Sequence, residues 1–133
     1  MILTVDASAV VDALVGALDS TSYALMGEIE RNDIVAPHLI DLEVLQVLRK
    51  LERHKTLSGD EADQARDAFG RMSITRYPMH CLADRIWKLR HNLTCYDAAY
   101  VVLAELLDVA LLTCDAKMAK STGHSAVIRV FGD

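Results

Sequence analysis

Four acidic residues, Asp6, Glu43, Asp97 and Asp115, stand at positions from which folding can gather carboxylates into one site. Asp6 directly follows an apolar, β-rich run, and Asp115 lies two residues past Thr113, the end of another. Asp97 falls in the first turn of a helix opened by Thr94, and Glu43 falls within a helix that follows a short strand. Two unit charges 4 Å apart repel by about 4 kcal/mol at an effective dielectric of 20. Clustered carboxylates therefore either hold protons more tightly or recruit cations. All-oxygen ligands completed by water favour Mg²⁺ or Mn²⁺ over zinc. Such a site supports hydrolysis of a phosphodiester, in which the cation lowers the pKa of a bound water and stabilises the leaving oxygen. On this reading Asp6, Asp97 and Asp115 are the metal ligands, and Glu43 binds metal or orients the attacking water.

Each residue also has a plainer reading. Asp6 and Asp115 fit as helix N-caps, Asp97 as half of a capping box with Thr94, and Glu43 as part of a solvated stripe with Gln46 and Lys50. Helix geometry separates Glu43 from its neighbour Asp41, because residues two apart point about 200° apart. Glu43 is preferred because Gln46 and Lys50 share its face. Asp12, six residues after Asp6, reads as a surface group. Arg49, Lys50, Arg53, His54 and Lys55 beyond Glu43, and Lys117 and Lys120 beyond Asp115, are available to phosphates.

The elements that position these residues alternate strand and helix. Strands are expected at residues 2–5, 34–36 (ended by Pro37), 74–77, 109–113 and 126–130. Helices are expected at 8–16, 20–31 with Ser20 and Thr21 as caps, 38–54, from the capping box at Ser58–Glu61, 80–91, from Thr94 to about 107, and from Asp115 to about 121. Leu39, Leu42, Leu45 and Leu48 share one side of the 38–54 helix, and Ile40, Val44, Val47 and Leu51 widen it. Burial on more than one flank, as in a dimer, would account for so broad an apolar face. Short apolar strands alternating with helices imply an α/β fold: one domain, residues 1–133, with a central parallel sheet flanked by helices on both faces. In such a sheet ligands bind outside the carboxyl ends of the strands, where Asp6 and Asp115 stand.

Bulk composition sets limits. The chain of 133 residues is 52% hydrophobic and 25% charged, ample for one core. No apolar run reaches the roughly 18 residues of a membrane span, and the N-terminus lacks the basic region and cleavage site of a signal peptide, so a cytoplasmic protein is expected. The three cysteines, at 81, 95 and 114, match no zinc or redox spacing and read as reduced and mostly buried. The net charge of −5 argues against a simple electrostatic nucleic-acid binder, yet if four of the 19 acidic residues hold metal, only 15 remain against 14 Lys and Arg. No Gly-x-Gly-x-x-Gly, P-loop or Gly-x-Ser-x-Gly is present.

Four segments together resemble the PIN-domain family, and in particular the VapC-like toxins of type II toxin–antitoxin systems. They are Val5-Asp6-Ala7-Ser8-Ala9-Val10-Val11, Leu42-Glu43-Val44-Leu45-Gln46-Val47-Leu48-Arg49, Leu93 through Ala104 around Asp97, and Leu111-Leu112-Thr113-Cys114-Asp115-Ala116-Lys117. Their order and spacing span nearly the whole chain. The resemblance implies endonucleolytic cleavage of RNA, one or two Mg²⁺ ions among the four carboxylates, and supporting hydroxyls at Ser8 and Thr113. It also implies a homodimer and a cognate VapB-like antitoxin that covers the site. After Asp115 the chain reads Ala-Lys-Met, without the extra acidic residue some relatives carry, which argues against a fully occupied second metal site.

Two other functions stay open on sequence grounds. One is an RNA- or protein-binding module of the same fold that cleaves weakly. The other is a phosphatase or phospho-receiver with Asp6 as nucleophile, disfavoured because Asp6-Ala7-Ser8 lacks a second nearby carboxylate.

Overall fold

A computed structural model of the chain describes residues 1–16 and 20–131. Its five strands form one parallel sheet: β1 (Ile2–Val5), β2 (Asp33–Pro37), β3 (Ile74–Tyr77), β4 (Ala110–Thr113) and β5 (Ile128–Val130). The helices are α1 (Ala7–Val15), α2 (Ser20–Arg31), α3 (Leu39–Arg53), α4 (Gly59–Gly70), α5 (Ala83–Lys88), α6 (Cys95–Leu107) and α7 (Ala116–Ala119). Both readings of the sequence, an α/β fold and an all-parallel sheet, hold. Leu3, Val5, Ile34, Val35, Leu111 and Leu112 are all buried, as expected of strands covered on both sides.

Spatial strand order is β3-β2-β1-β4-β5. From β1 the chain adds β2 and then β3 on one side, and then returns to add β4 and β5 on the other. Right-handed crossovers place α1–α4 on one face and α5–α7 on the opposite one. Accordingly α1, α2, α3 and α4 pack on one another, while α6 lies across β1, β2 and β4 and carries α5. The order reverses between β1 and β4, which pair directly, with Val5 opposite Leu112. Outside the carboxyl ends of these two strands a doubly wound sheet opens its crevice.

Helix α6 shows why burial dominates here. Seven successive residues, Ala98 to Ala104, are buried, so the helix is apolar all round and has no solvent face over that stretch. Thr94 caps its start, and Asp108 ends it in the left-handed region at φ 55°, a conformation that Asp tolerates better than most residues. The Ser58–Glu61 capping box that opens α4 is closed in both directions.

Several expectations are corrected. The 80–91 helix is a 3₁₀ turn at His80–Leu82 followed by α5, which stops at Lys88, although Leu82 and Leu89 do point inward. Strand β2 includes Pro37, which edges the ladder without ending it earlier, and β5 begins at Ile128. On α3 the inward stripe is Ile40, Val44 and Leu48, while Leu42 and Leu45 are exposed. Cys81 and Cys95 are exposed and Cys114 is half-buried, all as free thiols; Cys95 opens a helix and Cys81 sits in the 3₁₀ turn, where neither reaches the core. The capping side chains of Ser20 and Thr21 lie outside the described residues. Among the described residues, no helix is long and apolar enough to cross a membrane.

Candidate active site

The sheet reversal builds the site from its two central strands. The chain leaves β1 at Asp6, whose amide donates to Leu112 O of β4 (3.2 Å), and enters α1 at once. Asp6 is thus an N-cap: its Oδ1 accepts the Ala9 amide (2.9 Å) and the Ser8 hydroxyl (2.7 Å). Its Oδ2 accepts the Thr113 hydroxyl from β4 (2.5 Å). Ser8 and Thr113 extend the network by accepting the amides of Cys114 (3.1 Å) and Asp115 (3.0 Å). A carboxylate has about four lone-pair positions. Three of Asp6's are occupied, so one on Oδ2 remains for a cation or its water.

Asp115 caps α7 in the same way, with Oδ1 accepting the Lys117 amide (2.9 Å). For both residues, therefore, the N-cap reading and the site reading describe one arrangement, because capping is what aims the side chain. Thr94 Oγ1 accepts the Asp97 amide (3.1 Å), but among the described residues the return bond from Asp97 to the Thr94 amide is not made, so the capping box is half formed. Glu43, half-buried on α3, turns toward α6 and comes beside Tyr100. Asp41 points elsewhere: its two oxygens hold Arg76 Nε and Nη2 at 2.7 Å each. Asp12, expected at the surface, is half-buried and accepts the Ser22 hydroxyl (3.1 Å), tying α1 to α2.

All four carboxylates line one cleft of about 260 Å³, together with Ala7, Ser8, Gln46, Val47, Lys50 and Tyr100. A larger groove of about 770 Å³ runs between α1, α2 and α4, but Glu30 is its only carboxylate among the described residues. The acidic cleft is therefore the place for charge-dependent chemistry.

Its electrostatics are those of uncompensated negative charge. Burial pushes the Asp6 carboxyl above its ordinary range, and the charge of Asp115 adds to this, against the lowering effect of its three hydrogen bonds. Asp97 is raised by burial and by Asp115 and Asp6. Glu43 is raised by burial, then by Asp97 and Asp6, with Tyr100 opposing. Asp6, Glu43 and Asp97 thus each feel carboxylate charge from a distant segment through a single cleft.

A hard divalent cation fits this donor set. Among the described residues no three His, Cys, Asp or Glu side chains converge tightly enough to form a preassembled metal-binding group. Mg²⁺ does not require a closed cage, since it keeps several waters and is commonly held by one or two carboxylates.

In sequence Tyr100 is one residue of the Leu93–Ala104 segment with no role of its own. Tyr100 is fully buried at 1% exposure, lines the cleft, and its hydroxyl has no hydrogen-bond partner of good geometry. The spacing of three from Asp97, on one face of an otherwise apolar helix, was the available signal.

Comparison with known proteins bears on the family and the fold. The family model for the PIN domain matches residues 3–123. Ribonuclease VapC1 of Mycobacterium tuberculosis is 42% identical over 127 residues, 95% of each chain. VapC ribonuclease Mb0985 of Mycobacterium bovis is 39% identical over 123 residues, 92% of each. Among solved structures, VapBC2 from Rickettsia felis, bound to a DNA fragment from its promoter, superposes with a TM-score of 0.69 at 13% identity, covering 99% of this chain and 100% of that one. Mycobacterium tuberculosis VapC20, described as a sarcin–ricin-loop-cleaving toxin, gives 0.66 at 16% identity, covering 94% and 98%. At those identities the structural matches speak for the fold alone.

Proposed function

The chain belongs to the PIN-domain family, among the VapC ribonucleases, and from that premise we propose that it is a Mg²⁺-dependent endoribonuclease, the toxin of a type II toxin–antitoxin system. The observation that carries the proposal is the convergence of Asp6, Glu43, Asp97 and Asp115 on one cleft at the sheet's reversal point. Mg²⁺ or Mn²⁺ held there supplies an acidified water and charge stabilisation for the leaving oxygen. Asp6, clamped by Ser8, Thr113 and the Ala9 amide, offers a fixed lone pair. Asp97, from the first turn of α6, and Asp115, at the start of α7, would complete the ligand set. Glu43 faces the same space from α3 and orients the attacking water. Lys50, one helical turn beyond Gln46 on the rim, offers an ammonium to an RNA phosphate.

The relatives' ribonuclease names support RNA as substrate, and the chain's likeness to VapC ribonucleases supports a VapB-like antitoxin as partner. Exposed Leu42 and Leu45 on α3 support a homodimer, since a second copy would remove that apolar surface from water. A cytoplasmic setting keeps the three thiols reduced.

One observation favours the alternative of a binding module that cleaves weakly: no preassembled three-ligand group exists among the described residues. A cleavage assay separates the two. Purified chain incubated with internally labelled RNA is expected to give internal products with Mg²⁺, none with EDTA, and products again when Mg²⁺ is restored. RNA binding that persists in EDTA, with no metal-stimulated products, would establish the binding module instead.

A further inference from the structure

Tyr100 carries a hydroxyl that the fold does not need. Its ring packs in the apolar body of α6, where Phe would fill the same space, and its oxygen is buried beside Glu43 without a hydrogen bond of good geometry. Leaving a buried hydroxyl unpaired is costly, and nearly all such groups in folded proteins find a partner. The orphaned group lines the acidic cleft beside Glu43, on the same helix face as Asp97. A phenol at neutral pH is a donor, and everything acidic around it is an acceptor. Of those acceptors, Asp6 is already held by Thr113, Ser8 and the Ala9 amide, and Asp115 by the Lys117 amide. Glu43 sits at the end of a longer side chain with no hydrogen bond of good geometry among the described residues, and it is the neighbour with which Tyr100 interacts most strongly.

The geometry points to Tyr100 as a positioning residue for Glu43, an inference that rests on the nuclease reading. In the loaded cleft its O–H donates to the Glu43 carboxylate and holds that side chain toward the cation and its waters. Tyr100 touches neither RNA nor the scissile bond. Its effect passes through Glu43, and the two residues act as one unit.

The test uses the purified full chain as wild type, Tyr100→Phe, Glu43→Gln and the double variant. Cleavage of RNA with Mg²⁺ gives kcat and KM, and the rise in melting temperature on adding Mn²⁺ without RNA gives a readout independent of cleavage. Without cation, Tyr100→Phe is expected to melt no lower than wild type, because it deletes only an unpaired hydroxyl. Its kcat is expected to fall about tenfold, roughly one hydrogen bond's worth, with KM within about twofold. The double variant is expected to be no slower than Glu43→Gln alone, and the Mn²⁺-induced rise is expected to be smaller in Tyr100→Phe than in wild type. Wild-type kcat together with a wild-type Mn²⁺ rise in Tyr100→Phe would overturn the inference, as would losses that multiply in the double variant. If wild type itself shows no Mg²⁺-dependent cleavage, the nuclease reading fails separately. The Mn²⁺ rise then decides the role of Tyr100, and equal rises in wild type and Tyr100→Phe, zero included, reject it.

Discussion

Asp6→Asn is expected to lower RNA cleavage by about 10³-fold, roughly 4 kcal/mol of transition-state stabilisation, while leaving the fold intact. The fold survives because Asn is as good an N-cap as Asp. Its carbonyl oxygen still accepts the Ala9 amide and the Ser8 hydroxyl. Its amide faces Thr113 Oγ1, which becomes an acceptor and turns its own proton toward Ser8 Oγ, 3.4 Å away. What disappears is the charge. Burial raises the Asp6 carboxyl above its ordinary range, so the ionised group works against folding at neutral pH. The variant's melting temperature at pH 7 is therefore expected to equal or exceed that of wild type. Cleavage within tenfold of wild type would remove Asp6 from the cation site. A steep loss of stability would assign the inactivity to unfolding instead.

The second large effect is a stability that depends jointly on pH and cation. Asp6, Glu43 and Asp97 are all raised by burial first; carboxylate charge then adds, from Asp115 on Asp6, from Asp115 and Asp6 on Asp97, and from Asp97 and Asp6 on Glu43. A carboxyl whose folded pKa lies above its unfolded value favours the fold when protonated. That contribution is complete below the ordinary carboxylate pKa of about 4 and fades as pH rises through the raised values. Glu28, Glu61 and Glu105 are shifted the other way, Glu105 to about 2 by Arg85, so their stabilisation is lost only as pH falls below the ordinary range. Above the ordinary carboxylate range the cleft therefore sets the slope. In EDTA the chain is expected to melt higher at pH 5 than at pH 7. Millimolar Mn²⁺ is expected to raise the pH 7 value clearly and the pH 5 value little, because a cation stabilises only the carboxylates that are ionised. A Mn²⁺ effect of equal size at both pH values would show binding elsewhere than at these groups.

Much of this was legible in the chain because its site residues terminate regular elements. Asp6 and Asp115 follow short apolar strands and begin helices, and the same punctuation that marks an N-cap in sequence aims the carboxylate in space. Helical angle set Glu43 and Asp41 on different faces, the polar neighbours Gln46 and Lys50 favoured Glu43, and the structure shows Asp41 occupied by Arg76. What escaped depended on partners distant in sequence. Asp12 is drawn inward by Ser22 on the next helix. The turn at His80–Leu82 breaks a pattern whose apolar spacing is helical, because α5 must dock on α6 at Ala83–Lys88. Leu42 and Leu45 look like core by periodicity, yet Ile40, Val44 and Leu48 win the inward face and leave them in water. Tyr100 reads as one more apolar position until coordinates show its hydroxyl without a partner in an acidic cleft.

The most direct measurement is a calorimetric titration of Mn²⁺ into the purified chain at pH 7, in wild type and in Asp97→Asn. Asp97 reaches the cleft from α6, so its loss breaks the ligand set without disturbing the Asp6 cap. Saturable uptake of at least one ion per wild-type chain, strongly weakened in Asp97→Asn, is the expected result. No uptake by wild type, or uptake undiminished by the substitution, would contradict a shared cation site.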